Sequence, residues 1–252
     1  MKEIIEINSD ALSLRRFFGE DTYSPIDIFS MLGNNEDLTL VFYPMSERIS
    51  GICIREEENK LIAINSTMTY GRQRFSVAHE LCHLFFHDDF SKIICPKDID
   101  TSKEQNETEA DRFASYFLAP YESLRDFIKE KLNKQKEMLN INDVVRIEQH
   151  YGLSRQATLW RLINDGYIDP DLVDSMKTGI IRSALKLGFD DKLYLPAPVE
   201  KQYITLGKYI KLAEELKAKG IISIGKYEEL MLSAFRTDIV YGLAVEGEEC
   251  YD

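Results

Sequence analysis

The segment His79-Glu80-Leu81-Cys82-His83 carries the residue types of a catalytic zinc site. Side chains four residues apart lie on one face of an α-helix, so the two imidazoles would converge on a single ion. Zinc binds an imidazole nitrogen at roughly 2.0–2.1 Å, and Glu80 lies beside this face, where it can reach a water on the metal. Two of the chain's four histidines occur here and apolar residues flank them. We therefore interpret the motif as functional rather than as a chance pattern on a surface helix.

A catalytic zinc needs a third protein ligand and one position that stays open to water. His87 is a candidate, but it stands eight residues beyond His79, which is about 12 Å of helix axis. One tetrahedral ion cannot reach all three imidazoles unless the helix ends after His83. We therefore expect His87 to lie behind the ligands or on the surface.

The other candidates are carboxylates in the segment NETEADRFA, residues 106–114. Glu107 and Asp111 are four residues apart and share a helical face. Glu107 can bind zinc, and Asp111 can accept a hydrogen bond from the far nitrogen of a ligand histidine, which fixes its tautomer. Glu109 is the rival ligand, but it points to a different face from Asp111. The alternative is a solvated helix face without a metal. We favour Glu107 as the ligand and Asp111 as the partner of a histidine.

Hydrophobic periodicity and turn residues predict the elements that must position these groups. Strands are predicted over 38–43, 49–57 and 60–66, and the last two should pair as an antiparallel hairpin before the motif. Helices are predicted over 10–18, 25–33, 72–87, 122–138, 171–187, 204–218 and 224–235, together with a helix capped by Thr101 or Ser102 that ends near Leu118.

The chain divides by these patterns into three predicted regions. Residues 1–140 form the catalytic domain, residues 141–190 a helix-turn-helix-like region, and residues 191–252 a helical C-terminal module after a proline-containing linker. In segment 141–168 the charges of Arg146, Arg155 and Arg161 are cancelled by three acidic residues, whereas a DNA reader shows a basic face. We expect this segment to be a packing unit.

Composition restricts the class of protein. The 252 residues contain 31 basic and 43 acidic side chains, a net charge of −12, which disfavours direct binding of nucleic acid. Neither a membrane-spanning apolar run nor a secretory signal is visible, so a cytoplasmic protein is expected. The four cysteines have no metal-finger spacing and are expected to be free thiols, mostly buried: Cys53, Cys82, Cys95 and Cys250.

The segments RQRFSVAHELCHLFFH (72–87) and NETEADRFASYFLAP (106–120) together resemble the ImmA/IrrE family of metallopeptidases. The strand segment ISGICIREEENKLIAINS (49–66) is also similar to what precedes the motif in that family. The similarity covers roughly residues 20–165. Cys82 is a departure, because the family usually carries glycine there, and a thiol at this position could be sensitive to oxidation.

The resemblance implies an α+β, zincin-like fold that is mainly helical. It implies one Zn²⁺ per chain on His79, His83 and Glu107, with Glu80 as the catalytic base and Mn²⁺ as another possible ion. Many relatives cleave or inactivate a helix-turn-helix repressor in phage or mobile-element induction, stress response or toxin–antitoxin pairs. The expected activity is therefore that of an endopeptidase with such a partner. The alternative is a non-proteolytic regulator that docks on a repressor or on DNA with a structural or vestigial metal site.

Two details of catalysis stay open at the level of sequence. The strand at 60–66, taken as a sheet edge, could hold an extended peptide by strand addition. The group that stabilises the oxyanion could be Tyr70, Tyr116, Tyr121 or His87.

Overall fold

The computed structural model describes residues 2–87, 92–96, 104–134 and 138–242. These residues form an α+β fold in which helices pack around one five-stranded sheet, so the predicted fold class is confirmed. The strands are β1 (Leu38–Tyr43), β2 (Ile49–Glu56), β3 (Asn59–Asn65), β4 (Lys92–Pro96) and β5 (Ile204–Gly207). The helices are α1 (Ile4–Phe17), α2 (Ile28–Gly33), α3 (Tyr70–Phe86), α4 (Gln105–Leu118), α5 (Tyr121–Asp126), α6 (Ile141–Tyr151), α7 (Arg155–Asn164), α8 (Val173–Met176), α9 (Ile180–Lys186), α10 (Lys208–Ala218), α11 (Ile224–Ser233) and α12 (Thr237–Tyr241).

The sheet has the strand order β4-β2-β3-β1-β5. The predicted hairpin is confirmed, with Cys53 of β2 opposite Ile62 of β3 in an antiparallel pair. β1 runs parallel to β3, whereas β5 runs antiparallel to β1 and β4 antiparallel to β2. The sheet is therefore mixed, and two of its strands follow the motif helix in sequence.

The prediction that the strand at 60–66 is a sheet edge is wrong. β3 pairs with β2 on one side and with β1 on the other, so its backbone groups are already used. In the described part of the chain, the edge strands are β4 and β5. Neither was predicted, since each is only four or five residues long, too short for a period-two pattern to stand out.

Several predicted helices differ from the observed ones. The helix predicted over 171–187 is broken into α8 and α9, because Gly179 between them has a φ of 62°, outside helical geometry. The helix predicted over 204–218 begins as strand β5, and only its remainder is α10. The helix predicted over 122–138 is α5 followed by a wider π-type turn over 127–131, and residues 135–137 lie outside the description.

Helix α3 lies at the centre of the molecule, packed against α4 and against strands β2 and β3. It begins after Thr69, whose hydroxyl oxygen accepts a hydrogen bond from the Arg72 backbone N–H. All residues from Gly71 to Leu84 are buried. Helix α1 also packs against α4, and the buried Arg15 donates to the backbone oxygen of Phe117.

The helix-turn-helix prediction is confirmed as α6 and α7, which pack against each other. Both Arg155 and Arg161 of α7 are buried, and Arg161 donates to Ser115 and to the backbone of Ala119 after α4. These two guanidinium groups therefore serve packing between helices. The division into regions 1–140, 141–190 and 191–252 stays a prediction. No helix among the described residues is both long and apolar enough to cross a membrane.

Candidate metal centre

Two helices supply the predicted metal-binding side chains. His79 and His83 are one turn apart on α3, and Glu107 is in the first turn of α4. The predicted cap of α4 at Thr101 or Ser102 lies outside the described residues, and α4 begins at Gln105 after Glu104. The small side chains of Ala110 and Ala114 are fully buried on α4, which allows the two helices to approach closely.

The structure brings the three predicted ligands together. The Nε2 atoms of His79 and His83 are 3.1 Å apart. The Glu107 carboxylate oxygens lie 3.4 Å from His79 Nε2 and 3.3 Å from His83 Nε2. Nitrogen and oxygen ligands of a tetrahedral zinc stand about 3.3–3.6 Å apart when the bonds are about 2.0–2.2 Å long. The spacing of these three donors therefore fits one zinc ion.

Asp111 and His87 lie behind the two histidines. His79 Nδ1 is 2.9 Å from Asp111 Oδ1, so the carboxylate can accept its N–H and leave Nε2 as a donor of electrons to a metal. His83 Nδ1 lies 2.8 Å from His87 Nδ1. His87 is thus buried behind a ligand, in line with one of its two predicted positions, and does not join the three converging atoms.

Glu109, the rival ligand, faces a different part of the structure from Glu107. Its carboxylate accepts hydrogen bonds from the backbone N–H of Lys2 and from the Gln105 side chain, and it lies 3.9 Å from His87 Nε2. Its place on the neighbouring face of α4 follows from the helical offset of two residues. The structure therefore favours Glu107 over Glu109 as a ligand.

Glu80 is fully buried and lies against the sheet. Its Oε2 accepts a hydrogen bond from the Cys95 thiol at 3.3 Å, whereas its Oε1 is buried with no hydrogen-bond partner among the described residues. A Cβ atom at Gly51 would come within 2.5 Å of that Oε1. Strand β2 therefore approaches the carboxylate so closely that only glycine fits at this position.

The surroundings of His79 and Glu107 shift the pKa values of both side chains. Burial lowers the pKa of His79, but hydrogen bonds to Asp111 and Glu107 outweigh it and raise that pKa to about 10. Burial raises the pKa of Glu107, but hydrogen bonds from His79 and His83 hold it well below its usual range. A metal ion would therefore replace a proton on His79, so its binding releases protons.

Burial also raises the pKa of Glu80, although the neighbouring His79 and His83 oppose the shift. A carboxylate in such surroundings accepts a proton more readily than one in water, which suits a general base. The Glu80 side chain thus combines proximity to the candidate metal position with enhanced proton affinity.

Cys95 is the site residue that sequence reasoning missed. Its Sγ belongs to a group of four potential donors with His79, His83 and Glu107, all within 4.8 Å of one another. Cys95 is fully buried on β4, a strand that was not predicted. The apolar run Lys92–Pro96 was the only available signal, and it does not identify the face on which the thiol lies.

Cys82, the cysteine singled out by sequence, does not belong to this donor group. It is buried on α3, and burial raises the pKa of its thiol, as it also does for Cys95. Position therefore distinguishes the two cysteines, because only Cys95 lies beside the converging donors. Cys250 lies outside the described residues.

The candidate oxyanion-stabilising residues occupy separate places. Tyr116 is buried beneath the Arg161 guanidinium, 4.0 Å from the ring centroid, and Tyr70 packs edge-on against Phe29 at 5.2 Å. His87 contacts His83 at the nitrogen that faces away from the converging Nε2 atoms. Tyr121 is exposed at the start of α5. The choice among these residues therefore stays open.

The comparison with protein families agrees with this geometry. Residues 23–162, more than half of the chain, match the model of the IrrE N-terminal-like domain, a peptidase family. The chain belongs to this family. No curated protein matches the chain significantly.

Membership of the IrrE N-terminal-like peptidase family confirms the predicted resemblance and the zincin-like fold. It also supports a metallopeptidase type of function, in agreement with a donor group that could hold a metal ion. The matched region contains β1 to β4 and α3 to α6, and thus all of the candidate site. Helix α1, strand β5 and the C-terminal helices lie outside it.

Proposed function

We propose that this protein is a zinc-dependent endopeptidase that cuts a partner protein, most suitably a helix-turn-helix transcriptional repressor. The observation that supports this proposal is the convergence of His79 Nε2, His83 Nε2 and the Glu107 carboxylate beside the buried Glu80. A purely structural metal site needs no acidic residue at position 80. The repressor and its phage, mobile-element, stress-response or toxin–antitoxin setting come from the family resemblance.

The residues divide the reaction between them. A divalent ion held by His79, His83 and Glu107 supplies Lewis-acid activation of water and of the scissile carbonyl. Glu80 accepts the proton of the attacking water and then donates it to the leaving amine. Asp111 holds His79 in the tautomer that presents Nε2.

Strand β4 is the suitable place for an extended peptide. In the described residues it pairs only with β2, so its other edge can accept backbone hydrogen bonds from a substrate strand. It also carries Cys95 beside Glu80, which places this edge near the candidate site. The peptide would thus lie along β4 rather than along β3.

The experiment compares wild type with Glu80→Gln. Each protein is purified, its bound metal is measured, and it is incubated with a candidate helix-turn-helix repressor. We expect about one zinc per chain in both proteins and cleavage by wild type only, with a loss of at least about 10²–10⁴-fold in the variant. Metal-free wild type, or equal cleavage by both proteins, would overturn the proposal.

A second function follows if the site is permanently closed. Cys95 adds a fourth donor to the group, and four protein ligands are typical of structural zinc. The protein would then be a regulator that docks on a repressor or on DNA without cutting. Repressor inactivation that persists in Glu80→Gln would favour this function over the peptidase.

A further inference from the structure

Cys95 is placed where a fourth metal ligand would be. Its Sγ lies within 4.8 Å of the donor atoms of His79, His83 and Glu107, whereas the other three are already 3.1–3.4 Å apart. Zinc–sulfur bonds of about 2.3 Å need a sulfur about 3.5 Å from the remaining donors. A shift of the thiol on the order of 1 Å would therefore complete a tetrahedral set.

A second observation concerns Glu80, which joins the thiol to the cluster. The carboxylate is fully buried and accepts the Cys95 S–H through Oε2, and its second oxygen has no hydrogen-bond partner in the part of the chain that the structure describes. A thiol must lose its proton to bind a metal ion. Here the acceptor for that proton is already in contact with the sulfur.

We propose that Cys95 is a fourth ligand that closes the metal site and keeps the resting protein latent. The proposal rests on the metal site of the proposed function and adds its regulation. Cys95 transfers its S–H proton to Glu80 Oε2, and the sulfur lone pair occupies the position that water needs. No electrons are transferred, and the thiol is released when the proton returns.

This arrangement blocks hydrolysis because the sulfur fills the coordination position that the attacking water needs. Release of the thiol from the metal requires movement of β4. This edge strand pairs with β2, and the register of that pair is interrupted between Ile49 and Gly51 of β2. A substrate or partner that pairs with the open edge of β4 can supply this movement.

The test uses Co²⁺ in place of zinc in the full-length protein. A cobalt ion bound by a thiolate shows a sulfur-to-metal charge-transfer band in the near ultraviolet, in addition to its visible bands. We expect this band in wild type and in Cys53→Ala, and we expect it to be absent in Cys95→Ala. Cys53 is the matched control because its thiol is also fully buried and also lies near the Glu80 carboxylate, where it opposes the rise in pKa that burial causes.

An added anion tests whether the fourth coordination position of the metal ion is open. Azide should shift the visible cobalt bands of Cys95→Ala, whose fourth position is free, and should leave those of wild type unchanged. The dissociation constant for zinc should also be about tenfold or more higher for Cys95→Ala than for wild type. Loss of a residue that only supports a ligand already has an effect of this size, and loss of a ligand should have at least the same effect. Equal azide responses in the two proteins would contradict the proposal.

The cobalt experiment distinguishes an error about Cys95 from an error about the metal site itself. Wild type that binds one cobalt without the charge-transfer band would refute the ligand role of Cys95 and leave the peptidase site intact. Wild type that binds no cobalt would refute both. If Cys95→Ala does not fold, a variant with alanine at positions 53, 82 and 250 retains Cys95 as its only thiol. Loss of the band in that variant, with cobalt bound, would equally refute the role of Cys95.

Discussion

Gly51 determines where the Glu80 carboxylate can lie. A methyl group at this position would come within 2.5 Å of Glu80 Oε1, so the carboxylate or strand β2 must move. We expect Gly51→Ala to lower the rate of peptide cleavage about a hundredfold, since a displacement of about 1 Å can have that effect. Zinc content should stay unchanged, because the three atoms nearest to that methyl group all belong to Glu80. Steady-state cleavage and metal analysis measure the two properties.

Gly225 provides the control for that substitution. It lies in α11, and a Cβ atom there would meet nothing within 4 Å. Gly225→Ala should therefore retain wild-type cleavage and gain a little stability, about 0.4–1 kcal/mol. Full activity of Gly51→Ala would show that the carboxylate tolerates displacement.

Asp111 would act on a bound metal through His79, whose Nδ1 lies 2.9 Å from the Asp111 carboxylate. Asp111→Asn keeps the shape of the side chain but presents the imidazole with a weaker partner, so zinc affinity should fall about 10–100-fold. Competition with a chromophoric chelator gives the dissociation constant. Glu109→Gln is the matched control, because Glu109 is similarly buried on α4 but is not among the converging donors. Equal losses in the two variants would indicate general damage to α4.

The convergence of the candidate donors was predictable from sequence, and the residues around Glu80 were not. His79, His83, Glu107 and Asp111 stand at helical spacings, and one periodicity predicts that each pair shares a face. Cys95 and Gly51 reach Glu80 through the pairing of β4 with β2, in which Gly51 stands opposite Cys95. Such a register depends on contacts between distant segments, which no local pattern encodes.

At the scale of elements, a buried ion pair ties together the helices that follow the site. Arg155 at the start of α7 pairs with Glu148 of α6 and donates to the backbone of Met176 and to Ser183 of α9. Arg155→Met leaves a buried carboxylate without its cation and should lower the free energy of unfolding by about 3–5 kcal/mol. Urea denaturation monitored by circular dichroism measures this change.

Two further variants test whether a loss of stability in Arg155→Met comes from the unpaired Glu148 carboxylate. Arg146→Met, at an exposed position of α6, should change stability by less than about 0.5 kcal/mol. Replacing Glu148 and Arg155 together by apolar residues should be less harmful than Arg155→Met alone, because no buried charge is left unpaired. A double variant that is less stable than the single one would contradict this account.

Helices and strands with a strong periodicity of apolar residues were predicted well. Short strands that form through pairing with distant segments were not. The hairpin of β2 and β3 and the helices α3, α6 and α7 follow patterns of apolar residues, and the structure confirms them. Strand β5 is read locally as the start of a helix, but pairing with β1 turns it into a strand. Tertiary pairing overrides weak local preference in such short segments.

For the molecule as a whole, metal binding should couple to stability. An ion that binds only the folded state at a hundred times its dissociation constant adds about 2.7 kcal/mol. For a chain of this size we expect zinc to raise the Tm of chelator-treated protein by about 5–10 °C. Differential scanning fluorimetry with and without zinc measures the shift. His83→Ala should lose it, and His150→Ala, at an exposed position on α6, should keep it.

The family-matched region should not fold well without the segments on either side of it. Helix α1 buries Ile7, Ala11 and Leu14 against the main core, and each large apolar side chain contributes about 1.5–3 kcal/mol. We expect the fragment 23–162 to aggregate or to unfold without cooperativity, in contrast to the full chain. Size-exclusion chromatography and thermal unfolding compare them. A monomeric fragment 23–162 with the full-length Tm would contradict this expectation.

The pairing of β1 with β5 has a consequence for biosynthesis. The Tyr209 backbone N–H donates to the Thr39 hydroxyl across 170 positions of the chain. At typical elongation speeds, the ribosome needs on the order of ten to thirty seconds to add that length. During this interval the nascent chain presents one unpaired edge of β1, the edge opposite β3, which is a template for adhesion to other polypeptides. Chaperone demand should therefore peak after helix α3 has emerged and fall once β5 leaves the exit tunnel.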